Sequence, residues 1–357
     1  MVLAAPAVEN RPGNGAEPMS KILLIQTAFP GDVILVTPLF RAIRQELPGS
    51  QVTAMVIPET KNILEHNPFV KKLWNYDKHS RGNSVSYLKK WVRKIKDEKF
   101  DIALLPHRSY RTALLARLAG IPIRIGFDRS PAKWLYSHVV KYNYEGHEVS
   151  RNLSLLKPFG VINLGVIRQE LFPDEQDETM VKGLMAANDL TGKEKIIALA
   201  PGSIWFTKRW PEMNFTGLTD LFLNRGYRIC LIGGSKDIAL GDFIIADAGS
   251  RAVNFIGKLT LRQTAYFLSK CRLLVCNDSA PTHLGSAVNI PTITIFGSTV
   301  PEFGFSPIAE KQAVMQKEMA CRPCTDHGRK KCPRKTLACL RDISPEEVFN
   351  SALALLK

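Results

Sequence analysis

Residues 274–297, LVCNDSAPTHLGSAVNIPTITIFG, hold the most restrictive pattern in the chain. An apolar run stops at Asn277-Asp278-Ser279, a helix-like segment follows, and a second apolar run over 292–296 closes the unit. Strand, polar loop, helix, strand is a crossover, and a crossover of this length joins parallel neighbours. Ligands of open parallel sheets sit beyond the carboxyl ends of the strands. Asp278, Ser279, Thr282 and His283 fall there, at a helix N-terminus whose N–H groups attract anions. His283 alone reads as a structural histidine; beside Asp278 and Ser279 it reads as part of a site for a phosphorylated ligand.

The rest of the chain repeats this alternation. Apolar, strand-like runs at 21–26, 52–57, 73–76, 101–105 and 123–126 are separated by helical patterns such as 39–47 and 111–119. After a polar span over 173–194 the alternation restarts, with runs at 196–200, 227–232, 253–256, 272–276 and 292–296 and helices at 215–224 and 261–269. This is the pattern of doubly wound α/β sheets, and it occurs twice. The expected organisation is a disordered tail (1–18), a Rossmann-like domain (19–175), a second Rossmann-like domain (190–343) and a terminal helix (344–357). Ser344 followed by Glu347 is a capping box for that helix.

With 357 residues the chain exceeds the usual size of one core, which fits two domains. No apolar run approaches the roughly 18 residues of a membrane span, and the first residues lack the shape of a signal peptide. The 48 basic and 33 acidic residues leave a net charge of +15. Such an excess suits phosphorylated substrates or an anionic membrane surface; no nucleic-acid module signature accompanies it. The basic run KKWVRKIKDEK (89–99) admits two readings: an amphipathic helix lying on lipid headgroups, or a solvated helix with one buried stripe around Trp91 and Ile95.

Four further motifs carry chemistry. TAFPGD (27–32) follows the first strand and sets Asp32 at its carboxyl end. Asp32 then either caps the following helix or, if the helix starts at Thr37, acts as a base. PGSIWFTKRWP (201–211) follows the first strand of the second half and offers Ser203 and Lys208, a lysine suited to a diphosphate. It is not a Walker A loop, because the GxxxxGK[ST] spacing is missing. GGSKD (233–237) follows the next strand, where Asp237 is placed to bind a ribose or simply to form a surface turn. Cys321, Cys324, Cys332 and Cys339 lie in one basic loop. They admit a structural zinc site, two disulfides or reduced thiols; the second CxxC of a zinc ribbon is absent.

Three segments, KILLIQTAFPGDVILVTPLFRAIRQELP, LAPGSIWFTKRWP and CNDSAPTHLGSAVNIPTITIFGSTVP, taken in that order, resemble the heptosyltransferases of lipopolysaccharide core synthesis, glycosyltransferase family nine. The resemblance spans nearly everything after Met19, and a cysteine-rich loop also occurs in some members. It implies a GT-B fold, two Rossmann-like domains facing a cleft, with the acceptor on the first half and the nucleotide sugar on the second. It implies an inverting, metal-independent transfer of heptose from ADP-heptose to a lipid-anchored saccharide, at the cytoplasmic face of the inner membrane. Asp32 matches the general base, Lys208 the lysine on the donor diphosphate, and Ser203 a hydroxyl near the phosphates. Asp278, Ser279 and His283 match the donor loop, and Asp237 matches more loosely. Ala280 stands where members often have Gly. The alternatives are a same-fold transferase with another sugar nucleotide or acceptor, and a non-catalytic sugar-nucleotide binder. A nicotinamide oxidoreductase is disfavoured, because no G-x-G-x-x-G follows the first strand.

Overall fold

The computed structural model describes residues 20–77, 85–162, 164–165, 167–192 and 194–357; the expected tail lies outside them. The apolar runs become strands because each is bounded by residues that cannot extend it. The run IIALA, for instance, is wholly buried and ends at Pro201-Gly202. The first unit contains β1 (Lys21–Gln26), β2 (Gln51–Val56), β3 (Lys72–Asn75), β4 (Ile102–Leu105), β5 (Ile123–Phe127) and β6 (His138–Val140). The second contains β7 (Ile196–Ala200), β8 (Arg228–Leu231), β9 (Ala252–Asn254), β10 (Leu273–Asn277), β11 (Thr292–Ile295) and β12 (Gln312–Met315). Every ladder is parallel. The orders are β3-β2-β1-β4-β5-β6 and β12-β11-β10-β7-β8-β9. Each is the doubly wound order 3-2-1-4-5-6 counted from its own first strand.

Sequence periodicity located all of these strands except β6 and β12, which lie at sheet edges. An edge strand pairs on one side only and needs less apolar surface. Accordingly β12 reads QAVM with no fully buried residue, and Val139 of β6 is half exposed.

The chain divides between Ile167 and Arg168. The polar span 173–194 therefore belongs to the second unit, and it contains a helix, Glu175–Ala186, started by a capping box between Asp174 and Asp177. That helix packs on helix Leu261–Leu268 through a buried ion pair, Arg262 to Asp177, at 2.8 Å. The terminal helix Pro345–Leu355 packs on helix Glu212–Leu223. Phe349 meets Phe222 edge-on at 5.0 Å, and Ser344 accepts the Glu347 N–H as its capping box requires.

Two alternatives that the sequence leaves open in the first unit are decided. Trp91 and Ile95, on helix Val85–Glu98, are buried against Trp74, Tyr76 and Phe100. This stripe is a core contact and is not available to lipid. The helix after TAFPGD begins at Pro30, not at Thr37: Pro30–Leu35 is followed at once by Thr37–Glu46. Pro38 has no N–H to offer the Ile34 carbonyl, and the Thr37 hydroxyl donates to that oxygen instead, at 2.8 Å.

Candidate active site

In the second sheet β7 is flanked by β10 on one side and β8 on the other, so the loops leaving β7 and β10 diverge. A crevice opens at such a point, outside the carboxyl ends. The loop after β7 runs through a 3-10 turn, Phe206–Lys208. Lys208 Nζ lies 2.6 Å from Asp278 Oδ2, and the two side chains are only 14% and 6% exposed. The Thr299 hydroxyl donates to the same carboxylate oxygen at 2.6 Å. Asn277, fully buried at the end of β10, ties the two loops together. Its Oδ1 accepts the Trp210 N–H at 3.0 Å and its Nδ2 donates to the Pro201 carbonyl at 2.7 Å. Trp210 in turn is buried against Phe215 and donates to the Ile343 carbonyl.

The loop after β8 closes the other side. Asp237 presses against Gly202, where a Cβ would stand 2.2 Å from the Asp237 carboxylate. Only glycine permits this approach. Arg209 bridges the two loops: its Nε donates to the Ser203 carbonyl at 2.6 Å, and a terminal nitrogen lies 3.5 Å from Asp237 Oδ1. Burial pushes the Asp237 carboxyl above its ordinary pKa, against the pull of Arg209 and Lys236. Ser203 is buried, and its hydroxyl accepts the Trp205 N–H at 3.4 Å.

Ser279 caps helix Ala280–Ala287 in an extended conformation and turns its hydroxyl back to the Asn277 carbonyl at 3.2 Å. Thr282 is fully buried and belongs to the polar cluster under the helix, bonded to the Asn277 carbonyl and facing Cys276 and Thr294. His283 is buried in the same helix. Ser203, Lys208, Asp237, Asp278 and Ser279 thus gather at the carboxyl ends of β7, β8 and β10, and His283 lies further along the helix that starts there. Thr299, Asn277 and Arg209 join them. The sequence marked none of these three as a site residue, because a threonine, an asparagine and an arginine acquire their roles only through distant partners.

Asp32 lies in the first unit, at the corresponding point between β1 and β4. It is the third residue of its helix, and its carboxylate accepts the Phe29 N–H at 3.2 Å. The loop after β4 lies alongside, with Thr27 Oγ1 3.2 Å from His107 Nδ1.

All four cysteines of the basic loop line one cavity of about 300 Å³, with Thr207, Ser298 and Arg322. They are free thiols. Among the described residues no group of three or more His, Cys, Asp or Glu side chains stands ready to hold a metal ion. Burial raises the Cys324 thiol pKa and pushes that of Cys339 up to about 11. Burial also acts upward on Cys332, but backbone N–H donors from Leu337, Arg334, Thr336 and Lys335 outweigh it and leave that thiol below its ordinary value.

Two 3-2-1-4-5-6 units, with a lysine held at the switch point of the second, make up an α/β architecture of the GT-B type. The profile of glycosyltransferase family 9 (heptosyltransferase) matches residues 88–334, and the chain belongs to that family: it is a glycosyltransferase. Lipopolysaccharide heptosyltransferase 2 of Salmonella typhimurium is 24% identical over 306 residues, covering 83% of this chain and 88% of that one. The family 9 glycosyl transferase of Veillonella parvula shares the fold with a TM-score of 0.85 at 25% identity, over 96% of this chain and 99% of that one. Escherichia coli ADP-heptose lipopolysaccharide heptosyltransferase II does so with a TM-score of 0.78 at 22% identity, over 94% and 98%.

Proposed function

We propose that this enzyme is an inverting heptosyltransferase that moves heptose from ADP-heptose to a saccharide acceptor of the lipopolysaccharide core. The observation that carries the reading is the Lys208–Asp278 pair at the β7/β10 switch point. An ammonium has three N–H donors; Asp278 engages one and orients the others toward a diphosphate. In the proposed step Asp32 takes the proton of an acceptor hydroxyl, and that oxygen attacks the anomeric carbon. The bond from that carbon to the diphosphate breaks, and ADP leaves with the electron pair. Lys208 and the Ala280 N–H, at the start of helix Ala280–Ala287, meet the developing charge, so the step needs no metal. The hydrogen bond from the Phe29 N–H holds the Asp32 carboxylate in one orientation and leaves it further acceptor sites. Asp237, Ser203 and His283 complete the donor side.

The acceptor is lipid-anchored, and the enzyme works peripherally at the cytoplasmic face of the inner membrane. Supporting this are the charge of +15 and the exposed Lys89, Lys90, Arg93, Lys94 and Lys96 on helix Val85–Glu98. No helix among the described residues is long and apolar enough to cross a membrane.

Asp32→Ala should abolish heptose transfer while ADP affinity stays within about twofold; unchanged turnover would sink the base assignment. Lys208→Ala should weaken ADP binding, on the order of tenfold or more for a lost charge-assisted contact, and equal affinity by calorimetry would remove its phosphate role.

The four thiols of the cysteine loop share one cavity, yet among the described residues no group of them is placed to hold a metal ion. A structural zinc and plain cysteines are the two readings, and elemental analysis of purified protein separates them: about one equivalent marks a four-thiolate site, and none leaves plain cysteines.

A further inference from the structure

Asp278 raises a physical question. A nearly buried carboxylate beside a diphosphate site repels the ligand unless its charge stays committed to the lysine. Two donors commit it: Lys208 Nζ and the Thr299 hydroxyl, each 2.6 Å from the same oxygen. Thr299 is 2% exposed and sits just after β11, in a stretch that the cysteine loop grips from behind. The Arg322 guanidinium donates to the Thr299 carbonyl at 2.8 Å and also to the Gly297 carbonyl. The Cys324 N–H donates to the Ser298 carbonyl at 3.1 Å. On the other side the Ser298 N–H donates to the Thr207 carbonyl at 3.2 Å, and the Thr207 hydroxyl meets the Ser298 hydroxyl at 2.9 Å. Thr207 precedes Lys208; its N–H donates to the carbonyl of Arg329 in the same cysteine loop at 3.1 Å, and the Arg329 N–H donates to the Thr207 hydroxyl at 2.8 Å. Space is as restricted as the bonding: a Cβ on Gly297 would come within 2.8 Å of Leu340 and of the Thr207 carbonyl.

From this chain of contacts we propose that Thr299 is a positioning residue for the donor lysine. It holds Asp278 against Lys208, and Arg322 of the cysteine loop holds Thr299. The cysteine loop is then the rear wall of the nucleotide-sugar site and not a separate appendage. The proposal rests on the donor-pocket reading above, and its test separates the two.

ADP affinity is measured by calorimetry on the full chain, with donor KM and kcat alongside, for Thr299→Val, Thr299→Ser, Asp278→Asn, Thr299→Val combined with Asp278→Asn, and Lys208→Ala. Thr299→Val keeps the shape and removes the donor. It should weaken ADP and raise donor KM about tenfold, the size of one charge-assisted hydrogen bond, with a smaller change in kcat. Thr299→Ser should restore affinity to within about twofold. In the Asp278→Asn background the valine should add little, because its effect runs through Asp278. Wild-type affinity in Thr299→Val, no rescue by serine, or full additivity with Asp278→Asn overturns the proposal. If Thr299→Val does not fold, Thr299→Ala takes its place: it removes the same donor without added bulk, should weaken ADP about tenfold, and overturns the proposal if it binds ADP like wild type. Unchanged ADP binding in Lys208→Ala overturns the donor-pocket reading itself, whatever Thr299 does.

Discussion

Asn277 is the residue that ties the loops after β7 and β10 together. Its amide is wholly buried and both ends are used, one on the Trp210 N–H and one on the Pro201 carbonyl. No other uncharged side chain of that size offers an acceptor and a donor from one rigid group. Asn277→Ala would strip two buried backbone groups of their partners, at roughly 1–3 kcal/mol each. We expect a loss of about 3 kcal/mol in urea unfolding, and a loss under about 1 kcal/mol would mean that the loops hold each other without it. The same logic of shared partners makes Lys208 and Asp278 a unit. A variant of either one changes the charge left behind on the other, so the size of a single-substitution effect there belongs to the pair.

The loops, not the strands, carry the chemistry, and their close packing limits what they accept. Gly202 and Asp237 show this most directly, since a Cβ at 202 would overlap the Asp237 carboxylate. Gly202→Ala should therefore push the loop after β8 away from the loop after β7. It should destabilise by about 1–3 kcal/mol, the usual range for overpacking, and weaken ADP binding with it. Adding Asp237→Ala should recover most of the stability; failure of that double variant to recover would show that the strain lies elsewhere. The helix Pro30–Leu35 makes a related point. It puts Asp32 in a first helical turn, where its carboxylate accepts the Phe29 N–H. The two readings of Asp32 that the sequence left as rivals are therefore compatible: one carboxylate can accept an N–H and still take a proton.

At the scale of the whole molecule, the same strand order is used twice, and the second copy carries the lysine. A donor that binds the folded state stabilises it by mass action, by about 2.7 kcal/mol at a hundred times its Kd. For a domain of this size that corresponds to a rise of roughly 5–10 °C in Tm. ADP and ADP-heptose should produce such a shift, whereas UDP and NAD should not. A larger shift with UDP would indicate a different sugar nucleotide, and a shift with NAD alone would point away from glycosyl transfer.

Alternating apolar and polar segments were enough to place most of both sheets. Whether a segment extends or coils depends on its own period and its flanking Gly and Pro, and those are local. The Ser344 capping box was legible for the same reason. The sequence could also single out Lys208, Asp278 and Asp32, because each stands in a loop directly after a strand. It could not show that Lys208 and Asp278 pair, that Thr299 joins them, that Asp237 lies on Gly202, or that four cysteines of one loop wall a single cavity behind Thr207. Those facts follow from strand order, which brings β10 beside β7 although β8 and β9 lie between them in the chain. Of the four edge strands, β3 and β9 were legible, whereas β6 and β12 bury too little apolar surface to give a signal. Local periodicity determined the elements; only the long-range packing of parallel strands decided which loops meet, and so which charges are neighbours.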